Sequence, residues 1–423
     1  MSSTIAVIGT GYVGLTTGAC FAHLGHRVIC ADIVADKIER LQRGDIPIHE
    51  ARLEQIVREH LDDGNLSFVL GSEDAVTAAD FVYLCVPTPQ SADGSADLSH
   101  LRAAASEISA NLKPGAIVVN KSTVPVGSTL LVEQALGRSD VAVVSNPEFL
   151  REGTAVDDFL HPDRVVIGAD DQAAASRVAT LYAGVRAPIM VTDPASAEIC
   201  KYASNAFLAT KLSFTNAVAA LCEAVGADVN DVLLGMGYDH RIGHEFLRPG
   251  PGWGGSCFPK DSQAIISIAE DAGYDFSLMR GVIAVNEQQF DRVVDKVESV
   301  VDLAGVTVAV LGIAFKANTD DTRQSPALEI MKRLVAKGAR VKAYDPAVTS
   351  IDFDGIEVEA DAYAACEGAS AIVVATEWDE FKWLDLDKIA EVVSERNVVD
   401  ARNLLDRGAL RRRGFTYQGV GRS

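Results

Sequence analysis

The apolar positions of this chain alternate between two patterns. Short Val/Ile-rich runs are separated by longer stretches whose apolar residues recur at helical spacing. That is the signature of parallel strands joined by crossover helices. In the N-terminal part the runs are IAVIG (5–9), RVICAD (27–32), FVYLCVPTP (81–89), AIVVNKSTV (116–124) and VAVVSNPEF (141–149). In the C-terminal part they are VTVAVLGIAF (306–315), RVKAYDP (340–346), SAIVVATEW (370–378) and NVVDARN (397–403). The two sets echo each other. VIG followed by VICAD parallels VLG followed by VKAYDP, and YLCVPTP parallels VVATEW. The pattern predicts a degenerate repeat of one nucleotide-binding plan, although strands of α/β proteins resemble one another in any case.

Between the two sets, Thr192-Asp193-Pro194 reads as a helix start: a capping side chain, then Pro at the first helical position. No breaker follows until Val225, so a helix is expected from about Ala195 to Val225, about 45 Å at 1.5 Å per residue. Such a helix is too long for one small domain to cover. It reads as a spine between domains and as a dimer face. The expected class is α/β, with two Rossmann-like doubly wound domains joined by a long central helix and a small helical domain. The boundaries read as 1–193, 194–300 and 301–423.

Composition narrows this picture. The 423 residues leave room for about three domains. With 48% apolar and 23% charged residues, the chain is neither disordered, collagenous nor a coiled coil. A net charge of −21 argues against a nucleic-acid partner, so any phosphate site must be local. Seven scattered cysteines without a CxxC pair point to a reducing compartment, read as the cytoplasm. Residues 1–26 carry no Lys, Arg, Asp or Glu, yet they lack a basic leader, and Gly9, Gly11, Gly14, Gly18 and Gly25 interrupt them. The apolar stretch 203–222 carries Asn205, Lys211 and Asn216, so no membrane association is expected. The eight histidines are not clustered at ligand spacing, and no metal is expected.

Two segments carry chemistry. Gly9-Thr10-Gly11-Tyr12-Val13-Gly14 follows a strand and opens a helix, and Asp32 closes the next strand. This is the dinucleotide fingerprint in the context it requires. Gly9 makes the tight turn, Gly11 admits a pyrophosphate, and Gly14 lets the helix pack closely. The helix N-terminus offers amide N–H groups to phosphates. Asp32 accepts from a ribose diol and repels a 2′-phosphate, which favours NAD over NADP. The loops after later strands, at 86–89, 121–127 and 146–153, face the same end of the sheet, though each also reads as an ordinary connection.

The second segment runs from Pro249 to Asp261 and holds four glycines, three prolines and Cys257. It reads as a shaped loop that lets a ligand approach the backbone, with Lys260 near the thiol. An exposed cysteine near positive charge becomes a nucleophile. The other six cysteines sit in apolar patterns and read as small core residues. Lys201 and Asn205, four apart on the long helix, share a face. They could stabilise an oxyanion, or be a solvated polar stripe.

These pieces together resemble the UDP-glucose/GDP-mannose dehydrogenase family. The matching stretches are IAVIGTGYVGL, DGSADL, KSTVPVG, SNPEFLREGTAVDDFLHPDR, KYASNAFLATKLSF, FLRPGPGWGGSCFPKD, AFKANTDDTRQSPAL, YDP and ATEWDEF, in family order over nearly the whole chain. GGSCFPKD and NPEFLREG are the most specific. The helix sequence from Asn205 is similar to the UDP-glucose branch; UDP-N-acetylmannosamine and GDP-mannose remain alternative substrates. Such enzymes oxidise a sugar nucleotide's primary alcohol to a carboxylate with two NAD+ and one water, through a cysteine thiohemiacetal and thioester. The resemblance implies that Cys257 is the nucleophile, that Lys201 and Asn205 stabilise oxyanions, and that Asp261 is a general base. Glu148 and Thr123 would position water. Gly11, Tyr12, Val13, Asp32, Lys37, Thr88, Ser122, Glu152 and Arg323 match NAD contacts. Phe149, Leu150, Phe246, Leu247, Trp253, Gly254, Lys316 and Arg402 match contacts to the UDP-sugar. Arg241 matches a residue given across a homodimer to the neighbouring site. Ala401 departs from the pattern, standing before Arg402 where Gly is common.

Overall fold

Every apolar run named above becomes a strand, and nearly every strand is shorter than its run. In the computed structural model, which describes residues 2–91 and 94–422, the first sheet has eight strands. These are β1 (Thr4–Ile8), β2 (Arg27–Asp32), β3 (Leu66–Leu70), β4 (Phe81–Leu84), β5 (Ile117–Asn120), β6 (Ala142–Ser145), β7 (Val165–Gly168) and β8 (Ile189–Thr192). The second sheet holds β9 (Thr307–Leu311), β10 (Arg340–Tyr344), β11 (Ile356–Val358), β12 (Ala371–Val374), β13 (Asn397–Asp400) and β14 (Thr416–Gly419). Asp93 of the DGSADL stretch lies outside the described residues. FVYLCVPTP ends as a strand at Leu84, one last N–H, of Cys85, still reaching the Ile8 carbonyl before the prolines at 87 and 89. Its polar tail is the loop.

The strand orders repeat. The first sheet runs β3-β2-β1-β4-β5-β6-β7-β8 and the second β11-β10-β9-β12-β13-β14. The second therefore reproduces the first six positions of the first. All pairings are parallel except where β6 meets β7 at Ser145 and Gly168. The inner strands β1, β4, β5, β12 and β13 are buried on both faces, as parallel sheets covered by helices require. In β1, Ile5 and Val7 join one apolar cluster while Ala6 and Ile8 join another, the period-two alternation of a strand between two layers. The sequence pattern missed β3, β7, β8, β11 and β14. Their runs are too short to show a period, and β8 is an edge strand with Ile189, Met190 and Val191 exposed.

Six helices matter for the site: α1 (Tyr12–His23), α2 (Ala35–Gln42), α3 (Ser128–Leu136), α4 (Pro194–Val225), α5 (Phe258–Asp271) and α6 (Ser277–Glu298). The spine α4 starts at the predicted proline, and Asp193 caps it by accepting from the Ser196 N–H at 2.8 Å. The chain forms two compact units. The first comprises residues 1–204 and 263–273, the second 205–262 and 274–423. Among the described residues no helix is long and apolar enough to cross a membrane.

Candidate active site

The first unit builds a dinucleotide cradle at the end of β1. Gly9 has φ +95°, and a side chain there would also strike the Cys85 carbonyl. A Cβ on Gly14 would lie 1.9 Å from the Gly9 carbonyl oxygen, so only glycine lets α1 pack this tightly. Gly11, the residue preceding α1, has nothing within 4 Å of a Cβ position. That open space at a helix N-terminus fits a pyrophosphate. Asp32 accepts from the Thr10 N–H at 2.9 Å, the Thr10 hydroxyl at 2.7 Å, Lys37 at 2.8 Å and the Val34 N–H at 3.1 Å. Burial pushes its carboxyl up, but the bonds from Lys37 and Thr10 outweigh that and hold it at about 2. The residues of this cradle thus fit NAD, as the sequence predicts.

The later loops meet beside it. The Thr88 hydroxyl donates to the Thr123 carbonyl at 2.8 Å, and the Ser122 hydroxyl to the Val86 carbonyl at 2.8 Å. Tyr12 reaches away from its own loop to Glu50, and the Gly153 N–H, next to Glu152, donates to Glu50 at 2.8 Å and to the Tyr12 hydroxyl at 2.9 Å. Burial and Glu50 push the Tyr12 phenol up. Val13 packs against the sheet's apolar core. Glu50 was not visible as a partner in the sequence, being 38 residues from Tyr12.

Glu148 and Lys201 form a buried ion pair at 2.9 Å. The Leu150 N–H donates to the same carboxylate at 2.5 Å. Burial pushes Glu148 up, yet Lys201, the Leu150 N–H and the charge of Lys121 together lower it below the usual carboxylate range. The carboxylate is therefore ionised and oriented. Phe149 lies under Arg164 at 3.5 Å and within 5.4 Å of Lys201.

In the second unit, Cys257 stands immediately before α5, and its carbonyl accepts the Asp261 N–H at 2.8 Å. The half-buried thiol thus sits at a helix N-terminus, where the dipole favours negative charge. The sequence reading placed it in a loop. Pro259, in the first turn of α5, was the available signal. Asp261 is buried, with Asn205 donating to one oxygen at 2.6 Å and Lys260 lying 2.9 Å from the other. Lys260 therefore pairs with the aspartate. The Ser256 hydroxyl is 3.6 Å from the sulfur. Of the other cysteines, burial pushes the thiols of Cys20, Cys85 and Cys366 up to about 12, while Cys200 is only half-buried, unlike the core residue expected.

Three of the four glycines around Cys257 are pressed against other segments of the chain. A Cβ on Gly254 would lie 1.9 Å from the Gln324 carbonyl oxygen, one on Gly252 2.5 Å from the Phe290 ring, and one on Gly255 2.8 Å from Phe315. At these three positions protein atoms alone exclude a side chain. The loop is also bolted down by amides. Asn286 of α6 exchanges two bonds with the backbone of Trp253, at 2.8 and 2.9 Å. Gln289 donates to the Gly250 carbonyl at 2.7 Å, and Asn216 of α4 accepts its N–H at 2.8 Å. The Trp253 indole donates to Ser213 at 2.9 Å. The sequence reading missed Asn286 and Gln289; their signal was two amides three apart on an amphipathic helix.

Leu247 is buried in the core of this unit, and Phe246, at φ +61°, stands 6.4 Å from the Phe258 ring. Arg402 lies against Gly250 and donates to the Ala375 carbonyl at 2.9 Å and the Phe315 carbonyl at 3.2 Å. Lys316 lies 5.4 Å from the Phe315 ring centre. Arg323 and Arg241 are exposed, each folded onto an aspartate two residues earlier, Asp321 at 2.6 Å and Asp239 at 2.5 Å.

Known proteins resemble this chain over nearly its whole length. Residues 3–186, 195–288 and 309–407 match the NAD binding, central and UDP binding domains of one family. The chain is 45% identical to the UDP-glucose 6-dehydrogenase TuaD of Bacillus subtilis, over 99% of this chain and 93% of that one. It is 44% identical to a UDP-glucose 6-dehydrogenase of Rhizobium meliloti, over 99% of each. A UDP-glucose dehydrogenase structure from Pyrobaculum islandicum superposes with a TM-score of 0.91 at 38% identity, covering 100% of this chain and 98% of that one. The chain belongs to the UDP-glucose/GDP-mannose dehydrogenase family and is an NAD-dependent oxidoreductase.

Proposed function

We propose that this enzyme oxidises UDP-glucose to UDP-glucuronate in two two-electron steps, consuming one water. Bound NAD+ accepts a hydride in each step. The first oxidation takes a hydride and a proton from the C6 alcohol and leaves an aldehyde. The Cys257 thiolate adds to that aldehyde, giving a thiohemiacetal. Loss of the second hydride and a proton gives a thioester, and water then releases the carboxylate and regenerates the thiol. The observation that carries this reading is Cys257 immediately before α5, with Lys260 and Asp261 in the first turn of that helix and Asn205 of α4 donating to Asp261.

Lys201 and Asn205 stabilise the developing oxyanions, Asp261 takes protons, and Glu148 with Thr123 orients water. Gly11, Tyr12, Val13, Asp32, Lys37, Thr88, Ser122, Glu152 and Arg323 hold NAD. Phe149, Leu150, Phe246, Leu247, Trp253, Gly254, Lys316 and Arg402 hold the UDP-sugar. The work divides among residues 1–193, 194–300 and 301–423, for cofactor, dimerisation and UDP-sugar respectively. Two copies associate, and Arg241 completes the neighbouring site. Seven cysteines without a disulfide support a reducing, cytoplasmic setting. Support for UDP-glucose comes from the named activity of the relatives at 45% and 44% identity.

The test is Cys257→Ala with UDP-glucose. The variant is expected to bind NADH normally and to form no UDP-glucuronate. Two NADH per sugar from that variant would sink the covalent route. UDP-N-acetylmannosamine or GDP-mannose turning over faster than UDP-glucose in the unaltered enzyme would sink the substrate.

A further inference from the structure

Glu198 is a buried acid to which the reaction above gives no role. It lies on α4 three residues before Lys201 and is 2% exposed. One oxygen accepts the Gly127 N–H at 2.7 Å; the other accepts the Thr129 N–H at 2.8 Å and the Thr129 hydroxyl at 2.7 Å. These donors belong to the residue before α3 and to its first turn. Helix starts are ordinarily capped by a local Ser, Thr, Asp or Asn. Here the capping position is Gly127, at φ +94° and without a side chain, and a carboxylate arrives from another element 71 residues on. Burying a charge is costly, and a local side chain would cap the helix without that cost. What the distant acid adds is a fixed distance between two elements.

Those elements both carry residues of the proposed chemistry. The loop at 121–127, which Glu198 holds at its far end, carries Ser122 and Thr123. Thr88 holds the same loop at its near end through the Thr123 carbonyl. One turn along α4, Lys201 is held from the other side by Glu148. We propose that Glu198 is a positioning residue that ties the Thr123 loop to the Lys201 turn of α4, so that Thr123 and the lysine ammonium keep one working geometry. The inference rests on the proposed roles of Thr123 and Lys201.

In Glu198→Gln the amide NH2 cannot accept from the N–H groups it would face. With UDP-glucose, kcat is expected to fall by about 10²-fold, the scale of a misplaced catalytic group. KM for UDP-glucose is expected to stay within about twofold, because no residue assigned to the UDP-sugar lies on the 121–127 loop. The decisive readout is a double-mutant cycle with Thr123→Ala. If Glu198 acts through Thr123, the double variant is no slower than Thr123→Ala alone. Should Glu198→Gln fail to fold, Thr129→Val removes one donor at constant volume, and the same non-additivity with Thr123→Ala is expected at a smaller loss. Multiplying losses, or wild-type kcat in a folded Glu198→Gln, overturn the positioning role alone. Wild-type kcat in Thr123→Ala overturns the reading of Thr123 and the positioning role with it.

Discussion

The proposed role of Asp32 in cofactor choice depends on its neighbours. Four donors converge on its carboxylate, and it stays ionised far below neutral pH because their pull exceeds the cost of burial. Lys37 is one of them, at 2.8 Å and on the first turn of α2. A 2′-phosphate would meet a negative carboxylate whose partner cation, Lys37, is already engaged. Replacing Asp32 by Ser removes the repulsion and frees Lys37. NADPH should then bind about tenfold tighter than to the unaltered enzyme, since one charge-assisted bond outweighs the 1.4 kcal/mol that a factor of ten requires. NADH binding should weaken. Adding Lys37→Ala should cancel the gain, and a fluorescence titration without sugar substrate measures all three. A gain that survives Lys37→Ala would show that Lys37 is not the phosphate's partner. Gly9, Gly11, Gly14 and Asp32 could be read from the sequence because their roles are local: a turn, a gap, a close packing and a strand end. Glu50 and Glu198 could not, because their partners lie 38 and 71 residues away and nothing in a one-dimensional pattern joins them.

At the scale of elements, the segment around Cys257 reads as a shaped loop from its composition alone. Its composition showed that side chains were forbidden, not what forbade them. The answer lies in Phe290, Gln324 and Phe315, which no local pattern connects to it. Gly254→Ala tests this. Its Cβ would meet a backbone carbonyl rather than a movable side chain, so the strain has no cheap relief and should cost about 1–3 kcal/mol or more. The expected result is a lowered melting temperature and lost oxidation of UDP-glucose, with NADH affinity retained in the first unit. An unchanged melting temperature would mean that the Gln324 segment yields freely. The sheets were easier to read, since buried parallel strands announce themselves as Val/Ile runs, and the echo between the two sets corresponds to one strand order used twice. The two sheets differ at the counterpart of Asp32. Asp345, at the end of β10, accepts from the Ile313 and Ala314 N–H groups at 2.7 and 3.0 Å and from the Trp378 indole at 3.0 Å. Two more N–H groups, of Ala347 and Val348, take its second oxygen. Asp345 is thus buried under five donors, where Asp32 takes four and is only partly buried.

For the whole molecule, the question is what covers α4. Phe207, Phe214 and Leu221 are 64%, 53% and 60% exposed, and they recur every seven residues. That spacing returns each side chain to nearly the same face, drifting about 20° per heptad. A two-fold partner using the same stripe would bury all three on both copies. Charge opposes this, since two chains of −21 make a dimer of −42, so association should strengthen as salt screens the repulsion. Phe214→Glu should therefore sediment as a monomer. Arg241 supplies the sharper test, because its exposed guanidinium pairs with Asp239 in its own loop. If it serves the neighbouring site, Arg241→Ala and Cys257→Ala should each be inactive alone yet complement each other when mixed and re-associated. Random re-pairing makes half of the dimers mixed. In a mixed dimer the subunit that keeps Cys257 receives Arg241 from its partner, so one site in two works, about one quarter of full activity. If Arg241 instead serves its own chain, every site in the mixed dimer lacks either the thiol or the guanidinium. Mixing then restores nothing, and the shared-site assembly is wrong even if the dimer itself forms.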